Sequence, residues 1–227
     1  MRDADGDLTF SPQDLDADGV WGGDRAVRGE VELIADAEHL PRVVQKGMLS
    51  AKVSLDIATA DFKAMLVPDP ANPRGRNAPS IVDHLLRLAK RGVEVRVLHA
   101  GVPSGPALQQ LKKAFGGNPP RNPPGKPVSG LTIRRCPRLH AKAVVVDAGW
   151  LYLGSANLTG AGLGAKGAAR RNFEWGVVSE TPGLVDAVMG RFNTLWEGGH
   201  CAGCGRREVC PVPLEEPRLY RLGLSDS

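Results

Sequence analysis

The 227-residue chain has no run of about 18 apolar residues, and it opens acidic where an export signal would be basic and then apolar. The expectation is a soluble, cytoplasmic protein with no integral membrane association. No internal repeat is present, which sets aside solenoid architectures. Each end of the charge pattern lacks one sign. Residues 1–40 hold eleven acids and three basic residues, whereas residues 121–171 hold nine basic residues and a single acid, Asp147. A positive field around the second stretch would draw a polyanion such as nucleic acid, or an anionic membrane surface. Arg134, Arg135, Arg138, Lys166, Arg170 and Arg171 are the candidate contacts.

The length suits one domain able to bury a core of its own. Residues 1–30 are rich in Asp and Gly and read as a flexible acidic arm. Asp14-Leu-Asp16-Ala-Asp18-Gly19 resembles the opening of an EF-hand loop, but position twelve of that loop is Arg25 instead of a bidentate Glu, so calcium is not expected. Residues 31–198 form the main domain and 199–227 a Cys-rich tail. In the domain, Val31–Ile34 reads as a strand and 37–51 as a helix with an apolar stripe through Leu40, Val43, Val44, Met48 and Ala51. Lys52–Thr59 is the next strand. Ser80 and Asp83 form a capping box for a helix that Gly92 stops, and Val93–Leu98 alternates as a strand should. A helix over 106–115 follows. Residues 116–130 hold five prolines and four glycines and form an exposed loop. Thr181-Pro182 starts a last helix, with Val185, Val188, Phe192 and Trp196 on its buried stripe. Alternating strands and helices predict an α/β domain with a mixed, partly parallel sheet flanked by helices.

The most informative stretch runs from His140 to Asn157. Two β-prone runs, Ala143–Val146 and Trp150–Leu153, flank Ala148-Gly149, which predicts a hairpin with a two-residue turn. Counting outward then sets Lys142 opposite Ser155 and His140 opposite Asn157. Side chains alternate along a strand, so these four share one face: an imidazole, a fixed cation, a hydroxyl and an amide. That combination suits a phosphodiester.

His140-x-Lys142-x4-Asp147-x6-Gly154-Ser155-x-Asn157 resembles the HKD signature of the phospholipase D superfamily. The resemblance implies a phospholipase D-like α/β sandwich and a phosphohistidine mechanism that needs no metal or other cofactor. His140 would act as nucleophile or acid-base group, Lys142 and Asn157 as phosphate ligands, and Ser155 as a further donor. Asp147, at the turn, and Gly154 would be structural. Asn172-x-Glu174 resembles the strand after the motif, in which the Glu fixes the tautomer of the catalytic His. The chain carries one such motif, and His39, His84, His99 and His200 lack a Lys two residues on. Single-motif members of the family pair about a two-fold axis, so a homodimer with a shared site is implied. The expected activity is a nucleic-acid phosphodiesterase of endonuclease type, with DNA ahead of RNA as partner. The alternatives are a phospholipase or phosphatidyl transferase, and a non-catalytic dimeric DNA-binding module of the same fold.

Three of the four cysteines fall in the tail, as Cys201-x2-Cys204-x5-Cys210. In a chain without an export signal, Cys-x2-Cys reads as metal ligation before disulfide. Cys136 is the expected fourth ligand, with His200 next. The spacing resembles the iron–sulphur staple of helicase-nuclease exonuclease domains, which favours a structural [4Fe–4S] cluster over zinc.

Overall fold

The computed structural model describes residues 27–68, 78–115, 130–210 and 214. The acidic arm up to residue 26, the calcium-loop-like run, the Pro/Gly loop over 116–129 and most of the tail after Cys210 lie outside the described residues.

A seven-stranded mixed sheet forms the middle layer. Its strands are β1 (Glu32–Ala35), β2 (Ser54–Thr59), β3 (Glu94–His99), β4 (Leu131–Arg135), β5 (Ala143–Val146), β6 (Trp150–Gly154) and β7 (Trp175–Ser179), in the order β1-β7-β6-β5-β2-β3-β4. β2, β3 and β4 run parallel, and the other neighbouring pairs are antiparallel. The carboxyl ends of β2 and β3, the start of β5 and the end of β6 therefore meet at one edge. Ligands of open α/β sheets gather at the carboxyl ends of parallel strands.

Helices α1 (Ile81–Lys90) and α2 (Gly105–Ala114) and the helical segment 36–50 cover one face, and α3 (Pro182–Trp196) covers the other. Leu55, Ile57, Val95, Val97, Val144 and Val146 pack towards Val43, Met48, Leu85 and Leu111. Ala58, Leu98 and Ala143 meet Phe192 and Trp196 of α3, and Val145 and Leu151 meet Val185. β5 is thus buried on both sides, which is why it reads as an unbroken Ala-Val-Val-Val run. On the α3 side, Arg96 donates twice to Asp56 (2.6 and 2.7 Å) and lies 5.1 Å from the centroid of Phe192. The buried carboxylate is thereby paired and the guanidinium stacked.

Ser80 and Asp83 cap α1 reciprocally, each backbone N–H meeting the other's side chain at 3.1 Å, and Gly92 ends it at a φ of 94°. One expectation needs correction. Residues 37–51 do not form one regular α-helix. A 3₁₀ turn at Asp36–Glu38 leads into a π-helix at Leu40–Gly47 and a second 3₁₀ turn at Met48–Ser50. Pro41 brings no N–H to the first turn, and the Met48 N–H is shared between Val43 O and Val44 O. The apolar stripe still faces inward, with Val43, Val44, Met48 and Ala51 buried. β4 was not expected as a strand. Arg134 and Arg135 belong to this parallel edge strand.

Candidate active site

The hairpin forms with a register one residue away from the expected one. Val146 faces Trp150, Val144 faces Tyr152 and Ala143 faces Leu153, so Lys142 lies across from Gly154 and not from Ser155. The extra residue is in the turn. Asp147 and Ala148 both take a φ of 51°, Gly149 N donates to Val146 O (3.0 Å), and Gly149 is added before the ladder starts. The Asp147 carboxylate holds this turn by accepting from Lys52 N (3.0 Å), Val53 N (2.8 Å) and Ser54 N (2.9 Å). Burial opposes its ionisation, but the N–H groups of Ser54, Val53 and Lys52 hold its pKa below the usual carboxylate value. Asp147 thus fastens the hairpin to the start of β2, at the far end from His140.

Because opposite residues share a face, Lys142, Gly154 and Gly176 form a row across β5, β6 and β7. The row explains the glycine of the motif. The Tyr152 ring folds over it, and a Cβ at Gly154 would lie 2.5 Å from the Tyr152 hydroxyl, while one at Gly176 would lie 2.4 Å from its Cε2. The hydroxyl is 3.1 Å from His39 Nε2 and accepts from Ala156 N at 3.3 Å. His39 Nδ1 is 3.0 Å from Asp36 O, so in its neutral form Nδ1 donates there and Nε2 accepts from Tyr152. Burial pushes the tyrosine up to about 12. Glu174, also buried, accepts from Ser155 Oγ and from Asn172 Nδ2 (2.9 Å), and its backbone exchanges bonds with Asp36. Its oxygens are thus engaged by Ser155 and Asn172 and not by His140.

His140 is exposed at the edge, on the loop entering β5. Lys142 Nζ lies behind it, 2.8 Å from His140 O and 3.1 and 3.2 Å from the two ring nitrogens. An ammonium equidistant from both nitrogens points along neither lone pair, so its firm bond is to the carbonyl. The ammonium is available to an incoming anion with only local movement. Burial lowers the Lys142 pKa, against the opposing pull of Glu174. Asn157 belongs to the same edge. Its Oδ1 accepts from Asp61 N (3.0 Å), while the Thr59 hydroxyl, 3.3 Å away, donates to Asp61 O (2.8 Å), which leaves the NH₂ group as the donor for a ligand. Thr59 Oγ1 in turn accepts from Leu158 N (2.9 Å). Asn172, the first residue of the Asn-x-Glu pattern, supports the site together with His39, Thr59, Asp61 and Tyr152, and these last four do not stand out in the sequence. Only the position of Tyr152, two residues before the motif glycine, could have flagged one of them.

His39, His84 and His99 all have pKa values below the ordinary 6.5, chiefly because burial disfavours the imidazolium. In the window below 6.5 the unfolded chain takes up protons that these residues refuse in the fold, so stability should fall as the pH drops through it. A urea midpoint lower at pH 5.5 than at pH 7.5 is the expected result, and an unchanged or higher midpoint would contradict it.

The basic residues separate into two groups. Lys166 and Arg170 are exposed and Arg171 half-buried, on the segment between β6 and β7. Arg134 and Arg135 turn inward. Arg134 donates to Trp196 O (2.6 Å) and stacks 4.6 Å from the Trp196 centroid, and Arg135 donates to Ala100 O (2.8 Å). They tie β4 to α3 and to the β3 end, which corrects their reading as rim cations. Arg138 is exposed but donates to Cys204 Sγ at 3.6 Å.

A family model described as "Cardiolipin synthase, PLD-like domain" matches residues 45–196. Among solved structures, the fold is similar to that of Nuc, a phospholipase D family member from Salmonella typhimurium, at 22% identity and a TM-score of 0.50 over 74% of this chain and 94% of that one. NucT from Helicobacter pylori matches at 14% identity and a TM-score of 0.49, over 74% and 96% of the two chains. No curated protein sequence matches the chain. Among the described residues no helix is long and apolar enough to cross a membrane.

Proposed function

Since the matched segment, residues 45–196, spans more than half of its 227 residues, the chain belongs to the phospholipase D superfamily, and on that premise we propose that it hydrolyses nucleic-acid phosphodiester bonds in a site shared by two copies. The observation that carries this reading is the edge cluster, with an exposed His140, Lys142 Nζ behind it and the Asn157 amide held ready to donate.

In the proposed reaction a His140 ring nitrogen attacks phosphorus and the P–O bond to the leaving nucleoside oxygen breaks, giving a phosphohistidine. The imidazolium of the partner's His140 protonates the departing oxygen. Now neutral, it takes a proton from water, whose oxygen attacks phosphorus and releases His140. Lys142 and Asn157 stabilise the charge on the non-bridging oxygens. Lys166, Arg170 and Arg171 extend the positive surface along the polymer, so binding should weaken steeply with salt.

Pairing has a candidate surface. Beyond the cover of α3, the same sheet face shows Leu33 (70% exposed), Leu153 (42%) and Trp175 (71%), with Phe173 (91%) two residues before β7. Exposed aromatics in one patch mark an association surface, and a two-fold contact needs only one self-complementary patch. The patch borders Glu174 and Ser155, and the shared-site reading requires a copy docked there to bring its His140 to the first. Trp175→Glu should yield a monomer by sedimentation, with turnover reduced by at least about a hundredfold through loss of the partner's acid. A fully active monomer would refute the shared site.

The function itself is tested by incubating the purified protein, with EDTA, against DNA, RNA and phospholipid vesicles. Cleavage of nucleic acid alone is the expected result. Lipid turnover, or binding of DNA without cleavage, would overturn the reading.

A further inference from the structure

The chain after α3 builds one wall of a cavity beside His140. Its backbone runs in successive i→i+3 turns, with Gly198 N donating to Leu195 O (3.1 Å), Cys201 N to Gly198 O (2.9 Å) and Cys204 N to Cys201 O (3.1 Å). In such turns residues three apart fall on the same side. Leu195, Gly198, Cys201 and Cys204 obey that spacing, and all four line one cavity of about 230 Å³. A second wall is the loop from β4 to His140. Cys136 N donates to His99 O (2.8 Å) and Leu139 N to Cys136 O (3.0 Å), a turn that buries Leu139 and leaves Arg138 exposed. Cys136, Leu139 and His140 line the cavity from this side.

The lining is mostly apolar. Leu139 belongs to the buried cluster of Phe192, Trp196 and Leu214, against which Cys136, Leu195 and Cys201 pack. The charged and titratable groups lie at the rim, where Arg138, His140 and His200 are exposed. Arg138 Nη1 rests on Cys204 Sγ at 3.6 Å, and sulfur is a weak acceptor. A ligand carbonyl or ring nitrogen would accept more strongly from the same guanidinium. Among the described residues no three His, Cys, Asp or Glu side chains are gathered closely enough to hold a metal ion. Cys136, Cys201, Cys204 and Cys210 therefore do not fit the metal centre that their spacing led us to expect.

Size narrows the occupant further. Pockets that bury a drug-sized ligand span roughly 300–1,000 Å³. This one is smaller, with room for one planar ring system and not for the two chains of a diacyl lipid. Gly198, at a φ of 76°, brings no side chain to the wall, so a flat ring can lie against backbone there. On the reading of His140 as a nucleophile towards nucleic acid, we propose that this cavity is a base pocket, which receives the unpaired base next to the phosphate under attack. Base and phosphate are separated only by the sugar, so a phosphorus at His140 leaves the adjoining base at the cavity that His140 itself lines. The apolar wall takes the face of the ring and Arg138 its acceptor edge. A paired base is held in the stack and reaches such a pocket only by extrusion, at a cost in unstacking and unpairing. The pocket thus selects single strands and extruded nucleotides, whereas Lys166, Arg170 and Arg171 hold the phosphates of any strand.

The test gives the full chain, with EDTA, a single-stranded DNA whose central tract is abasic. Wild type should cut the base-bearing flanks at least about tenfold faster than the abasic tract, and a single strand at least about tenfold faster than the same sequence as a duplex. Cys204→Phe, which fills the cavity, and the milder Cys204→Leu should lose most of the preference for the flanks. Equal cutting of flanks and abasic tract by wild type overturns the proposal, and that result needs no variant to fold. A second arm reads the pocket without chemistry. His140→Ala is titrated with a short strand in which a single 2-aminopurine stands among abasic residues, and the bound base should be shielded from acrylamide, with the shielding lost on adding Cys204→Phe. A bound strand whose base stays open to acrylamide overturns the pocket and leaves the nuclease reading standing. Shielding in His140→Ala, together with wild-type protein that cuts no nucleic acid, keeps the pocket as a base-binding site and overturns the nuclease reading instead.

Discussion

His140→Ala is expected to lower turnover by roughly a thousandfold or more while leaving nucleic-acid affinity within a few-fold of wild type. The imidazole is exposed, and its loss removes no buried contact from the fold. Docking relies on other groups, namely Lys166, Arg170 and Arg171 on the flanking segment and Lys142 at the phosphate. A dimer of the variant lacks both nucleophile and acid, so the loss should appear in kcat and not in KM. Normal turnover by this variant, measured on the substrate the wild type cleaves, would rule out the proposed mechanism.

Gly154→Ala should be nearly as damaging, for a different reason. The new methyl would meet the Tyr152 hydroxyl at 2.5 Å, Gly176 Cα at 2.7 Å and Trp175 O at 2.8 Å. Two of the three obstacles are backbone, so β6 and β7 would have to move apart next to Lys142 and Glu174. Overpacking of this kind costs about 3 kcal/mol, the upper part of its usual range. The melting temperature should drop by roughly 6–12 °C for a domain of this size, and activity should fall further as the supports of Ser155 and Glu174 shift. Adding Tyr152→Phe removes only the hydroxyl contact, so it should restore little, and it leaves His39 Nε2 without its partner. A double variant as stable as wild type would show that the backbone contacts do not matter.

Much of the fold could be read from the chain because its signals were local. The capping box of α1 and the paired β-prone runs of the hairpin each lie within a few residues of one another. The hairpin register could not be read. It depends on Asp147 and Ala148 both adopting positive φ, a choice stabilised by backbone N–H groups of residues 52–54, some 93 residues away. β4 was hidden because its alternation, Leu131-Thr132-Ile133-Arg134, spans only four residues and carries just two apolar side chains. The same short run misled the reading of Arg134 and Arg135, since a count of basic residues does not say which way they point. The support beneath the site was the least legible part. His39 and Tyr152 are 113 residues apart, and Glu174 reaches Asp36 over 138. In sequence they look like an ordinary helical histidine and a core tyrosine.

The central claim is that two chains complete one phosphodiesterase site, and co-expressed mixtures of wild type and His140→Ala test it most directly. If each site needs a histidine from both chains, only wild-type pairs work, and an equal mixture with random pairing keeps about one quarter of the activity of the same total protein. A residual activity of about one half would mean that each chain works with its own histidine, and would contradict the shared site.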